Sequence, residues 1–205
     1  MTSDTNNENA APLGHADFGS AVANGWKLLG SGASKTAMLS PDRGYVTLCL
    51  AVDRRIEANV FTDWVAFCKK NAPKSPHIMR MLSDVSYGRS DTGKDLVMVQ
   101  CELLKDDSVA SWLEPLEILY QLSPSTRRAL RSWPDLIDAV NEEADYVPKA
   151  CKAMLAELNA PKHVALASAI LAVTRATPKY AALDFSPGNI LRRGNTLVIS
   201  DPWSA

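Results

Sequence analysis

The run Tyr-Val-Thr-Leu-Cys-Leu-Ala-Val at residues 45–52 constrains the fold most, being nearly continuous in apolar and β-forming side chains. Such a run reads as a strand, and its backbone N–H and C=O groups need partners. Residues 26–29 read as a short strand ending in Gly30-Ser31-Gly32, with residues 35–39 as its return. Ser40-Pro41-Asp42-Arg43-Gly44 is a turn by composition. Residues 79–87 and 96–103 read as two more strands joined by Asp91-Thr92-Gly93-Lys94. Between the run at 45–52 and these two strands, Val60, Trp64, Phe67 and Cys68 fall on one side of a helix over residues 60–70, which Ser75-Pro76-His77-Ile78 breaks. The first half therefore predicts a five-stranded antiparallel sheet with one inserted helix.

Beyond it the pattern changes. Residues 109–177 read as several helices punctuated by Pro115, Pro124, Pro134, Pro148, Pro161 and Pro178. Ser132 before Trp133-Pro134, and Asn159 before Ala160-Pro161, suit helix starts. Strands return at residues 180–183, 190–192 and 196–200, around Pro187-Gly188 and Gly194-Asn195 turns. Sheet first, helices second and a late hairpin predict an α+β, two-lobed fold. Residues 1–19 are polar and Asn-rich and read as a disordered or loosely docked arm. The smaller lobe is expected over residues 20–104 and a helical one over 105–205.

Composition narrows the function classes. A formal net charge of −1 gives no basic footprint for nucleic acid or an anionic membrane. No signal-peptide pattern or membrane-spanning apolar run is found, so the expected compartment is the cytoplasm. Cys49, Cys68, Cys101 and Cys151 stand apart and read as buried free thiols. The three scattered histidines argue against a zinc site.

Three clusters can carry chemistry. Gly30-Ser31-Gly32-Ala33-Ser34-Lys35 lies between two strands, where glycines let backbone amides approach phosphate oxygens. Alone, such a stretch is more often a plain hairpin turn. Asp184-Phe185-Ser186-Pro187-Gly188-Asn189 sets a carboxylate five residues before an amide, on a loop leaving a strand. That pair suits a base and a Mg²⁺ ligand, or equally a solvated Asp and a turn-forming Asn. Asp201 follows an apolar strand, where a carboxylate can reach Mg²⁺ between phosphates or simply end the strand before Pro202.

Taken together, Asp184-x-x-Pro187-x-Asn189-Ile190-Leu191 and Asp201 resemble the catalytic loop and metal-binding Asp of protein kinases and of aminoglycoside and choline kinases. More closely, the set is similar to the early serine/threonine protein kinases of T-seven-like podophages, which have a short Gly loop and Asp-Pro in place of Asp-Phe-Gly. The resemblance covers residues 26–104 and 180–203; the helical middle matches only in kind. It implies ATP and Mg²⁺ as cofactors, with Asp184 as the base and Asn189 and Asp201 as metal ligands. It implies nucleotide contacts from Gly30, Ser31, Gly32 and Lys35, and from Glu102 at the strand before the hinge. In phage-type company it also implies transfer to Ser/Thr of a host protein in the host cytoplasm.

Departures from the pattern set the alternatives. Leu48 occupies the third-strand position where kinases keep a phosphate-binding lysine. Gly30-x-Gly32-x-x-Lys35-Thr36 resembles the loop of with-no-lysine kinases, in which that lysine has moved. Lys35 is either this displaced cation or a solvated strand-edge residue; Asp63 on the helix could be its carboxylate partner, but one acid on a helix more often belongs to its water-facing side. The His of His-Arg-Asp is absent, with Ala182 in its place, and Ser186 replaces the loop lysine. Asp201 lies four residues before the last one, so the resemblance implies a truncated larger lobe that the helices of 105–177 partly refill. The alternative is a pseudokinase that grips and inhibits a host protein through those helices. An aminoglycoside-type small-molecule kinase is a third reading.

Overall fold

The computed structural model describes residues 13–31, 35–52, 55–105, 161–184 and 187–204. These form two compact units, one drawn from Met1–Asn59 and Met81–Leu103, the other from Val60–Arg80 and Leu104–Ala205. The architecture is α+β, and no helix among the described residues is long and apolar enough to cross a membrane. The helices expected within 109–160 and the arm before Leu13 lie outside the described residues, as do Gly32, Ser186 and Cys151.

The first unit is built on the predicted sheet. Strands β1 (Lys27–Ser31), β2 (Lys35–Leu39), β3 (Tyr45–Ala51), β4 (Ser86–Arg89) and β5 (Asp95–Glu102) pair antiparallel in the order β1-β2-β3-β5-β4. The apolar run at 45–51 is thus the central strand. Paired residues share a face and successive residues alternate. The register Lys35↔Leu50, Ala37↔Leu48 and Leu48↔Val99 therefore places Lys35, Ala37, Leu48, Leu50, Val97 and Val99 on one face. Thr36, Met38, Thr47, Cys49 and Met98 share the other. A bulge at Leu29, between Leu28↔Met38 and Gly30↔Ala37, re-aims the end of β1. Gly88 on β4 lets the Met98 methyl pass, since a Cβ there would lie 2.7 Å from Met98 Cε.

Two sequence expectations are corrected here. Residues 79–87 do not form one strand: the ladder is confined to Ser86–Arg89, while Ile78 and Met81 make isolated bridges to Ile199 and Cys101. Those two partners belong to different units, so no single ladder can run through the segment. Residues 13–19, expected in the loose arm, are packed. A 3-10 turn (His15–Phe18) leads into α1 (Gly19–Ala23), with Leu13 and Phe18 buried among Met38, Cys49 and Leu96.

Asp17 fastens this segment to the β4–β5 turn. Only 5% exposed, its carboxylate accepts from Ser90 Oγ at 3.2 Å, the Gly14 N–H at 2.8 Å and Thr92 Oγ1, with Lys94 Nζ at 3.4 Å. Burial pushes the Asp17 carboxyl up, but the bonds from Thr92 and Gly14 and the charge of Lys94 together outweigh it and hold the group below its ordinary value. A depressed folded value stabilises above the unfolded carboxyl's range and is lost as pH falls through it. Asp17→Asn is thus expected to cost about 1–3 kcal/mol near neutrality. Its deficit against wild type should shrink below about pH 4, as thermal melts across that range would read.

Helix α2 (Arg55–Asn71), whose residues from Val60 on belong to the second unit, carries the predicted apolar stripe, starting earlier than expected because nothing between Arg55 and Val60 breaks a helix. Its Phe61, Trp64, Val65 and Cys68 are buried. Helix α3 (Pro161–Ala176) opens on proline at its first position and buries Leu166, Ala167, Ile170 and Val173. The unit's described residues also hold two short antiparallel pairs: β6 (Ala182–Leu183) with β9 (Trp203–Ser204), and β7 (Ile190–Arg193) with β8 (Thr196–Ile199). The β7–β8 turn is Gly194-Asn195, with Gly194 at φ 58, a conformation costly for any residue with a Cβ. Residues 77–79 line up beside β8, where the Ile199 N–H donates to His77 O at 2.8 Å and the Met79 N–H to Ile199 O at 3.2 Å.

Candidate functional site

Backbone pairing gathers the three residues singled out in the second unit. Leu183 pairs with Trp203, and the Asp184 N–H then donates to Pro202 O at 2.7 Å, setting Asp184 beside the Asp201-Pro202 segment. The chain turns through a 3-10 turn, Pro187–Asn189, into β7. Asn189 Nδ2 donates to Asp184 O at 3.0 Å, and Asn189 O accepts from the Ser200 N–H at 2.9 Å. Asp184, Asn189 and Asp201 thus share one hydrogen-bonded junction, all half-buried. Because the Asn189 amide nitrogen is used internally, its carbonyl oxygen is the end suited to a cation.

One feature of this junction had no sequence signal beyond a helical stripe. Trp64, 1% exposed, donates from Nε1 to Ser200 O at 2.7 Å, immediately before Asp201. Its ring stacks on Phe67 at 5.3 Å and meets Trp203 edge-on at 5.3 Å. The indole therefore braces the strand end that carries Asp201 and packs on the residue two positions after it.

The donor set fits a hard cation: a carboxylate and an amide oxygen are Mg²⁺ ligands, whereas soft metals prefer thiolate or imidazole. Among the described residues no three His, Cys, Asp or Glu side chains are grouped as a metal cage. A cation here would be completed by phosphate oxygens and water, the usual arrangement for Mg²⁺ with a nucleotide.

In the first unit, the sheet register decides the position of Lys35. It lies on the same face as Leu48, two residues along β2 from Ala37, Leu48's direct cross-strand neighbour. On that face Lys35, Ala37 and Leu48 are half-buried, while Leu39, Val46, Leu50, Val97 and Val99 are buried. The less buried part of the face is therefore the part around Leu48 and Lys35. Gly30 is exposed, with no atom within 4 Å of a Cβ built there. The Ser31 hydroxyl is taken up inside the hairpin, donating to Leu13 O at 2.8 Å and lying 3.1 Å from Thr36 Oγ1. Glu102 closes β5 opposite Tyr45, half-buried. In the second unit, Asp63 is exposed and accepts from the Tyr180 hydroxyl.

No family model and no curated protein matches this chain.

Proposed function

We propose that this protein is a kinase-like phosphotransferase of two lobes that binds ATP with Mg²⁺ and transfers the γ-phosphate to Ser/Thr hydroxyls of a protein, a host protein in a phage setting. The observation that carries this reading is the junction in which Asp184, Asn189 and Asp201 are held together by three backbone-involving hydrogen bonds. Those bonds set Asp184, Asn189 and the Ser200–Pro202 segment that carries Asp201 side by side, as a base and two metal ligands acting on one nucleotide would need.

Each residue has a task in this reading. Asp184 accepts the proton of the acceptor hydroxyl as its oxygen bonds to the γ-phosphorus and the bond from that phosphorus to the β-phosphate oxygen breaks, releasing ADP. Asn189 and Asp201 supply oxygens to Mg²⁺, which would neutralise phosphate charge. Gly30 and its neighbours admit phosphate to their backbone amides. Lys35 supplies the cation that Leu48 cannot, and the shared sheet face supports this assignment over a solvated edge residue.

A thermal-shift titration with ATP and Mg²⁺ tests nucleotide binding, because a ligand that binds the native state raises its stability. Wild type should gain several degrees in Mg²⁺ and markedly less in EDTA. Lys35→Met should lose most of that gain, whereas Lys27→Met, an exposed residue at the start of β1, should keep it. Equal responses from the two variants would return Lys35 to a solvated role.

Leu48 favours a second reading, a pseudokinase that grips and inhibits a host protein without transferring phosphate. It predicts that host inhibition persists when nucleotide chemistry is removed.

A further inference from the structure

Residues 13–20 reach both edges of the five-stranded sheet. At one end, Leu13 O accepts the Ser31 hydroxyl of edge strand β1 at 2.8 Å. At the other, Asp17 is held by Ser90, Thr92 and Lys94 in the turn after β4, the opposite edge strand. The main chain closes the same joint: the Asp91 N–H donates to Asp17 O at 3.0 Å, and the Ser20 N–H to Asp91 Oδ2 at 2.5 Å. Between these ends, Leu13 and Phe18 are buried against Met38, Cys49 and Leu96. The segment is therefore a strap laid across the Met38 and Cys49 face and pinned at each side.

Ser31 joins the strap to the glycine hairpin. It pairs with Thr36, so both hydroxyls stand on the strap's face, and their oxygens lie 3.1 Å apart. Lys35, the preceding residue on β2, takes the opposite face. Ser31, expected among the nucleotide contacts, thus spends its hydroxyl on the strap. The end of β1 is otherwise weakly restrained. The strand lies at the sheet edge, is mostly exposed and is bulged at Leu29. No atom lies within 4 Å of a Cβ built on Gly30, and glycine gives up the most backbone freedom when fixed.

We propose that the strap positions the glycine hairpin: seating Asp17 at the β4–β5 turn fixes Leu13 O, which through the Ser31 hydroxyl fixes the hairpin end that would admit phosphate. Asp17 and Ser31 are positioning residues that act through this one strap. That the held hairpin serves phosphate rests on the proposed function; the holding itself does not. Among the described residues Asp17 and Ser31 share no hydrogen-bond partner. Plain packing would therefore make their effects independent, and effects of independent sites add in free energy.

The test is a double-mutant cycle read by hydrogen–deuterium exchange in the full chain. Amides at residues 29–31 and 35–37 exchange by local opening of the hairpin, which a loss of global stability alone leaves nearly unchanged. Ser31→Ala should speed them about fivefold, the scale of one hydrogen bond, and Asp17→Asn by about the same factor. The double variant should exchange no faster than the faster single one. Thr92→Val, which takes one hydroxyl from the clamp, replaces Asp17→Asn should that variant fail to melt cooperatively. Effects that multiply, to about 25-fold in the double variant, would overturn the strap. So would a folded clamp variant whose hairpin exchanges at the wild-type rate. The ATP concentration giving half the Mg²⁺-dependent thermal shift reads the consequence. It should rise about threefold or more in each single variant and no further in the double. A wild type with no response to ATP would refute the proposed function, and the exchange cycle would still decide the strap. A wild type that responds, with variants of unchanged half-saturation, would overturn the strap's part in admitting phosphate.

Discussion

Asp201→Asn is expected to lower phosphoryl transfer from ATP by roughly 10²–10³-fold while leaving the fold intact. The substitution keeps shape and one oxygen but removes the negative charge offered to Mg²⁺, so the ATP-dependent thermal shift should shrink with the activity. Asp184→Asn separates from it. Transfer should fall by roughly 10²–10⁴-fold, the scale of a lost general base, while nucleotide-induced stabilisation stays close to wild type, because in the proposed function this carboxylate addresses the acceptor hydroxyl. Radiolabelled-ATP transfer, run beside a host-inhibition assay, reads both. Loss of labelling with undiminished host inhibition in the two variants would sink the enzyme reading and promote the pseudokinase. The junction geometry makes the pair informative, since Asp184 and Asp201 lie on segments joined by the 2.7 Å bond from the Asp184 N–H to Pro202 O.

Among the described residues of the second unit, Trp64→Ala should be the most damaging single truncation, costing about 3–5 kcal/mol. The side chain is almost wholly buried, contacts Phe67 and Trp203 through its rings, and spends its one polar group on Ser200 O. Trp64→Phe isolates the last of these. It keeps most of the apolar surface but leaves the Ser200 carbonyl without its indole donor, for an expected loss of about 1–3 kcal/mol. Chemical denaturation measures both. A positioning role adds a readout that packing alone would not move: in folded Trp64→Phe, the Mg²⁺ concentration giving half the ATP-dependent stabilisation should rise, because the strand end before Asp201 has lost its brace. An unchanged Mg²⁺ dependence would make Trp64 a core residue and nothing more.

Several elements were legible in the residues themselves. The run at 45–51 is a central strand because β-forming apolar side chains fill both of its faces, and the stripe from Val60 to Cys68 is a helix because its period is helical. Gly194-Asn195 and Asp91–Lys94 are turns because their residues suit turn backbone. The candidate site residues were also visible, as residue types at particular spacings. Their meeting was not: a spacing of five between Asp184 and Asn189 carries no statement that both join the segment at Ser200 to Pro202.

What tertiary structure decided has a common physical reason, namely partners distant in the chain. Asp17 in a polar, Asn-rich stretch reads as solvated until Ser90, Thr92 and Lys94 surround its carboxylate. The segment after Ile78 looks like one strand until its ends are claimed by Ile199 and Cys101. Trp64 reads as plain core until Ser200, 136 residues away, accepts its N–H. Lys35 illustrates the division best. Alternation along β2 shows by sequence alone that Lys35 and Ala37 share a face. Only the cross-strand register, Ala37 opposite Leu48, determines that this is also the face of Leu48, because hydrogen bonds between strands set the register and local side-chain pattern does not.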